Sequence, residues 1–449
     1  MPGQVPHPRV AAALAVTIGL GVLTLIARSA NKTRRESQGR ALPWERWIQK
    51  VLRLRRPLSD WSWEQCFDEE GKLVLAVLRA HVLAHGIEPH LRAQVWPALL
   101  GVEEHTLDVQ GREAHRRARR ARFYQMQHCR IECLQSTPTT SSWAPAWLRL
   151  MALPATPGAE EAERAPSRSI GEARRSQESP SPTRDSAATA RGAPGSPDTA
   201  GAQKTAPPPT RGFEEAAQRI ALDTPRTPSP SEEVRVGRSA SGGGRGAARL
   251  AARAERLRFE ARVEELLELW ALHDAEVGYC QGMNDLASPF VHYFQDDSEC
   301  FWAFEAMMRR LGRRNFLLDG SGVAAQFEKL EALIQRADPH LHAHLQSIGA
   351  SQCFFLYRTL LVMLRRDFPF EQVMTMWDVL FAHQDADYIV YLLYAIVNVH
   401  RSALLRCTHL DEAVQHMLVF KRRVYADVWT LLNLSTVLYI QHKHQSIAS

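Results

Sequence analysis

From Leu250 to the C-terminus one pattern repeats: apolar residues return at three- and four-residue intervals, and almost nowhere do they alternate as a strand would require. Residues 301–311, 323–333, 354–364, 373–381, 389–399 and 424–440 each read as a buried or amphipathic helix. Residues 389–399 are apolar until Asn398, yet the run is too short to cross a bilayer and reads as core. The same periodicity appears earlier, through Leu73, Val77, Leu78 and Val82, then Leu91, Val95 and Leu99, and again through Phe213, Ala217 and Ile220. With strand signals nearly absent, the only way to bury these stripes is helix on helix, so the expected fold is all-α.

A chain of 449 residues could hold two or three domains, but its 45% hydrophobic content is unevenly spread. Residues 134–210 turn to Ala, Pro, Ser, Thr, Gly and Arg and cannot bury enough apolar surface to offset their ordering entropy. They read as a disordered insertion, and residues 227–247, with Gly242-Gly243-Gly244, as a second flexible connection. Four parts follow: an N-terminal hydrophobic segment with a basic flank (1–40), a first helical part (57–133), the insertion (134–210) and the remaining helices (211–449). The net charge of +6 comes largely from Arg-rich linkers and flanks, and no stacking-aromatic or zinc pattern accompanies it, which argues against a nucleic-acid partner. Seven cysteines, odd in number and without paired metal spacing, read as reduced thiols. The glycine run lacks both the Gly-Lys-Ser/Thr ending and the preceding strand of a phosphate cradle, so the chain is not expected to bind nucleotide by itself. Cys280-Gln281-Gly282 has a protease-like look, but helical surroundings and the lack of a preceding Gln-Ala set that reading aside.

Residues 10–27 carry no charge and are just long enough to cross a hydrocarbon core of ~30 Å as a helix. Arg28, Lys32, Arg34 and Arg35 follow, so the positive-inside bias would keep the rest of the chain cytosolic. A membrane anchor is the first reading; a cleaved signal peptide, a soluble Ala-rich helix and an organelle-targeting segment are the alternatives. Arg112, Arg116, Arg117, Arg119, Arg120 and Arg122 read as a solvated helix face that an anchored chain could also lay against anionic headgroups.

Two stretches carry chemistry. Ile220-Ala221-Leu222-Asp223-Thr224-Pro225-Arg226-Thr227 ends a helical pattern at Pro225, which disfavours helical geometry at Thr224 and should leave Arg226 on a loop. In Val277-Gly278-Tyr279-Cys280-Gln281-Gly282-Met283-Asn284-Asp285-Leu286-Ala287-Ser288-Pro289, the Gly, Asn, Asp and Pro residues mark a break between helices, with Tyr279 and Met283 packing its base and Gln281 exposed. One guanidinium and one amide on loops are what a slow GTPase lacks: a fixed cation for charge spreading over the transferred phosphoryl, and a group to orient the attacking water. Thr227-Pro228 and Ser229-Pro230 directly follow, and a phosphate there could pair with Arg226 and withdraw it.

Ile220, Asp223 and Arg226 match Ile-x-x-Asp-x-x-Arg; Tyr279 and Gln281 match Tyr-x-Gln; and residues 86–96, from Gly86-Ile87 through Leu91-Arg92 to Trp96, match Gly-Ile-x-x-x-Leu-Arg-x-x-x-Trp. Along the chain, 86–96 first, then 220–226 and 279–281, the three signatures resemble the TBC-domain family of Rab GTPase-activating proteins, and Phe354-Phe355-Leu356-Tyr357-Arg358 and Met376-Trp377-Asp378 are similar to its later signatures. Thr359 departs from the aromatic the family often has there. The resemblance implies a two-lobed helical domain with its catalytic loops on a shared groove. It implies Arg226 and Gln281 as the fingers inserted into a GTP-bound Rab, with Asp223, Tyr279 and Ile220 in support. Arg92 and Trp96 would be structural. GTP and magnesium would belong to the partner, with no cofactor of the chain's own, and the setting would be the cytosolic face of an intracellular membrane in vesicle trafficking. The rival readings are a non-catalytic scaffold holding a Rab or another membrane protein, and a lipid-binding tether.

Overall fold

The computed structural model describes residues 56–104, 107–135, 210–229, 245–420 and 428–448. The expected anchor at 10–27 and nearly all of the insertion at 134–210 lie outside the described residues; so does 230–244 of the second connection. No helix among the described residues is long and apolar enough to cross a membrane.

Sixteen α-helices and several 3-10 turns make up the described residues, without a named strand. The first lobe holds α1 (Asp60–Glu64), α2 (Leu75–His85), α3 (Arg92–Leu100), α4 (Val109–Gln135), α5 (Thr210–Asp223), α6 (Arg245–His273), α7 (Met283–Tyr293) and α8 (Asp297–Met307). The second holds α9 (Ser321–Ala337), α10 (Pro339–Ser347), α11 (Tyr357–Leu361), α12 (Phe370–Ala382), α13 (Tyr388–Val399), α14 (Arg401–Leu404), α15 (Leu410–Phe420) and α16 (Val428–Ala448). α6 is the axis of the first lobe, packed against α4, α5, α7 and α8. α13, the apolar run expected as core, is buried against α9 and α16, while α12 crosses the joint and packs on α2, α3 and α16.

That joint is made by the first signature closing on the last. Asp378 on α12, 0% exposed, accepts from Arg92 Nε at 3.2 Å, from Arg92 Nη2 at 3.2 Å and from Trp96 Nε1 at 2.8 Å. Arg92 Nη1 donates to the Tyr293 hydroxyl at 2.5 Å and to Glu371 at 2.9 Å. Burial pushes the Asp378 carboxyl up, and the Arg92 and Trp96 N–H groups oppose it. Burial also works against the Arg92 charge, but Asp378 and its neighbours outweigh that and hold the guanidinium firmly protonated. Trp96 is surrounded by Phe290, Tyr293 and Phe381 rings at 5.2 to 5.3 Å. Gly86, which opens the signature, has φ +78°, and a Cβ there would meet the Trp429 ring at 3.2 Å, so glycine is required.

Three local expectations change. Asn284, Asp285 and Pro289 do not break the chain: the break ends at Gly282, and these residues lie inside α7. Pro289 cannot donate to the Asp285 carbonyl, and the Ser288 hydroxyl does so in its place at 3.4 Å. Residues 354–364 are not one helix but a 3-10 turn (Phe354–Leu356), the short α11, and then Met363 and Leu364 at left-handed φ of 47° and 67°. The Arg112–Arg122 face is partly structural: Arg112 donates to the Gly71 carbonyl at 3.0 Å, Arg119 to the Val102 carbonyl at 2.9 Å, and Arg120 pairs with Asp296, whereas Arg117 stays 74% exposed.

Asp378→Ala leaves Arg92 charged, buried and without its main partner, and should cost about 3–5 kcal/mol. Glu371→Ala, removing a carboxylate that is 53% exposed, should cost far less. Chemical denaturation of the two variants beside the unaltered protein checks the contrast.

Candidate functional site

α5 delivers the first candidate side chain. It runs from Thr210 to Asp223 with Ile220 fully buried, and continues into a single 3-10 turn, Thr224–Arg226, with Pro225 near its start. Arg226 therefore projects from a tight helical turn rather than from the loop that Pro225 suggested. The fixed φ of proline suits the first residues of such a turn, and the Thr224 hydroxyl donates to the Ile220 carbonyl at 2.7 Å to seal the joint. From α6, Arg256 Nη2 donates to the Pro225 carbonyl at 3.0 Å and to the Thr227 carbonyl at 2.7 Å. The turn is gripped through its backbone, yet the Arg226 side chain is 72% exposed.

Gln281 sits between α6 and α7. Trp270 Nε1 donates to the Gly278 carbonyl at 3.1 Å, and Gly278 and Gly282 adopt φ of 60° and 104°. At Gly282 a Cβ would meet Val362 at 3.2 Å on top of the strained φ. Tyr279 is 4% exposed and Met283 fully buried, while Gln281 faces solvent.

Two direct bonds tie these segments together. The Tyr279 hydroxyl donates to Asp223 Oδ2 at 3.0 Å, and Asp223 Oδ1 lies 3.6 Å from Arg226 Nη1. Burial and the adjacent Asp223 push the Tyr279 phenol far above its ordinary range, so it stays a donor. Asn284 Nδ2 donates to the Thr227 hydroxyl at 2.7 Å, and Asn284 Oδ1 accepts from the Gly282 N–H at 3.2 Å. Asp223 orients the guanidinium and Tyr279 orients Asp223. Thr227 and Ser229 are 0% and 4% exposed, so neither hydroxyl is open to a kinase while the turn is folded, and the phosphorylation reading of this turn loses its support.

Arg226 and Gln281 open onto one groove, lined also by Asp223, Pro228, Asn284, Arg358, Arg365, Arg366 and Phe368. Its far wall comes from the second lobe. Arg366 Nε lies 2.6 Å from the Oδ2 of Asp285, which is 1% exposed. Burial pushes the Asp285 carboxyl up, and Arg366 pulls against it. Arg365 sits over the Phe370 ring at 5.0 Å. Arg92 and Trp96 do not reach the groove; they serve the joint. Arg358, Arg365, Arg366, Asn284 and Arg256 were not assigned a role from the sequence. The only available signal was the Phe354–Arg358 stretch, whose spacing does not say which side chain faces out. Burial raises the Cys280 thiol above its ordinary range, in keeping with a packing role. All seven cysteines are free, and among the described residues no cluster of three or more His, Cys, Asp or Glu could hold a metal ion.

Residues 253–405 match the family model described as the Rab-GTPase-TBC domain, a span that includes Gln281 and the far wall and begins after Arg226. Over that span the chain is similar to the TBC-domain family. It is 33% identical over 199 residues to Rab GTPase-activating protein 22 of Arabidopsis thaliana, covering 40% of this chain and 36% of that protein. It is 38% identical over 156 residues to GTPase-activating protein gyp7 of Schizosaccharomyces pombe, covering 34% of this chain and 21% of that one. TBC1 domain family member 25 of Homo sapiens is 39% identical over 117 residues, covering 26% of this chain and 17% of its own length. The chain thus spans at most about a third of the length of these relatives. In fold it is similar to the Ypt/Rab-GAP domain of Gyp1p, with a TM-score of 0.50 at 16% identity, over 90% of this chain and 99% of that one.

Asn284→Ala removes the buried partner of both the Thr227 hydroxyl and the Gly282 N–H, at an expected cost of roughly 1–3 kcal/mol. Hydrogen exchange should show the loss locally, with residues 224–229 and 278–282 exchanging faster and the interior of α12 unchanged.

Proposed function

We propose that the chain is a GTPase-activating protein for a GTP-bound small GTPase of the Rab type, supplying Arg226 and Gln281 in trans. The observation that carries this reading is that the two side chains, from separate segments, are exposed in one groove while the turns beneath them are buried and hydrogen-bonded. Arg226 neutralises charge that develops on the transferred phosphoryl, and its planar fork can meet two oxygens at once. Gln281 both donates and accepts, as a group that aligns a water for in-line attack must. Rigid turns fix both in advance, so little ordering entropy is lost when the partner arrives. The GTP and magnesium are the partner's, and the working place is the cytosolic face of an intracellular membrane.

Single-turnover GTP hydrolysis by a panel of GTP-loaded Rab-type GTPases tests the reading. Arg226→Ala should lower the stimulated rate by roughly a thousandfold or more, and Arg226→Lys should not rescue it, because a point cation lacks the fork. Gln281→Ala should lower the maximal rate without changing the half-saturating concentration. Tyr279→Phe should give a smaller loss at nearly unchanged melting temperature, since it frees Asp223 but leaves both fingers in place. Full stimulation by Arg226→Ala would refute the assignment.

A further inference from the structure

Among the described residues only three non-glycine positions adopt left-handed φ: Cys353 at 55°, Met363 at 47° and Leu364 at 67°. All three bracket one short piece of chain, the Phe354–Leu356 turn and α11. Left-handed backbone is costly for residues with a Cβ and persists only where the surroundings impose it. Here they do: the Met363 carbonyl accepts from Trp377 Nε1 at 2.9 Å, Leu364 N–H donates to the Thr359 carbonyl at 2.7 Å, and Asn315 Nδ2 donates to the Leu360 carbonyl at 3.1 Å.

The strained bracket holds out a particular face. Phe354, Tyr357 and Arg358 stand at spacings of three and four, so they share one side of the turn. Phe354 is 58% and Tyr357 48% exposed, unusual for side chains of their size, and Arg358 is exposed with no side-chain hydrogen bond or ion pair among the described residues. Phe354 is nonetheless fixed, its ring edge-on to Phe327 at 5.3 Å. Arg358 lines the same groove as Arg226 and Gln281, which makes this face continuous with the finger site.

We infer that Phe354, Tyr357 and Arg358 form a docking ridge that holds the GTPase against the groove, an inference that rests on the proposed activity. The partner surface it fits is apolar opposite Phe354 and Tyr357 and carries a carboxylate opposite Arg358. Aromatic and arginine side chains dominate binding energy at protein interfaces, and rigid ones sacrifice little entropy on docking. The ridge holds the GTPase; the fingers act on its nucleotide. The two roles therefore separate kinetically.

The experiment uses the full chain and a GTP-loaded Rab-type GTPase that it stimulates, with single-turnover rates followed across chain concentration. Tyr357→Ala and Arg358→Glu, alone and together, should each raise the half-saturating concentration by roughly tenfold or more, as loss of an interface anchor does, at unchanged maximal rate. Arg226→Ala should lower the maximal rate instead. Raising the salt from about 50 to about 300 mM should weaken half-saturation for the unaltered chain more than for Arg358→Ala, because one screened ion pair is already missing there. Arg358→Ala alters one exposed side chain and guards against a folding artefact, with melting temperature as the control. An unchanged half-saturation in these variants, or a fall confined to the maximal rate, would overturn the ridge while leaving the activity standing. If the unaltered chain stimulates no GTPase in the panel, the proposed activity falls and the ridge with it.

Discussion

Asp378 is the point on which the two lobes agree. It is fully buried and reached by the guanidinium and the indole of one signature helix, so the first lobe and α12 share a single arrangement. A carboxylate at this depth is tolerable only with its donors in place, and a slip of α12 along α3 would strand the Arg92 and Asp378 charges together. The pin governs the groove because α12 begins where the far wall ends. Phe370 stacks on Tyr293 at 5.9 Å and carries Arg365 over its ring, and Arg366 reaches back to Asp285 on α7. A contact made well outside the groove thus sets the distance between its walls.

Within the groove the chain spends its hydrogen bonds on the turns and leaves the ends of the Arg226 and Gln281 side chains to solvent. Arg256, Asn284, Thr224 and Tyr279 all act on the turns beneath Arg226 and Gln281, and none needs to meet a partner. Binding energy then need not be used to organise the site. The left-handed residues around α11 extend the same design to the second lobe, where the helix that periodicity leads one to expect is cut short so that a few side chains turn outward.

What the sequence disclosed and what it withheld follow from the range of the forces involved. Helix existence was legible because the apolar period is local, and the exposure of Gln281 was legible because Tyr279 and Met283 flank it as core residues. Arg92 was set apart from Arg226 only by the resemblance, and it lies buried against Asp378 rather than in the groove. Pro289 misled because its missing donor is replaced by a hydroxyl one residue away, which no breaker rule anticipates. Residues 354–364 misled because Met363 and Leu364 owe their φ to Trp377, Thr359 and the packing around them; no glycine announces the turn. Thr227 and Ser229 looked like surface sites because Pro follows each, and only the fold shows Asn284 covering Thr227. Burial against residues distant in sequence is what a single sequence conceals.

Arg92 and Arg226 have the same chemistry and opposite uses, and environment alone separates them. Arg92 is 2% exposed and bonded to Asp378, Tyr293 and Glu371, so its charge is committed. Arg226 is 72% exposed and faces one carboxylate at 3.6 Å, a loose, solvent-screened pair that orients the guanidinium while contributing little to stability. A cation held this loosely can exchange Asp223 and water for phosphate oxygens at small cost, and Tyr279 keeps Asp223 in place while it does so. Were Asp223 to close fully on Arg226 in a buried, bidentate pair, the finger would be more stable and less available. The arrangement therefore suits the proposed role, in which a partner's triphosphate is the stronger anion that replaces Asp223.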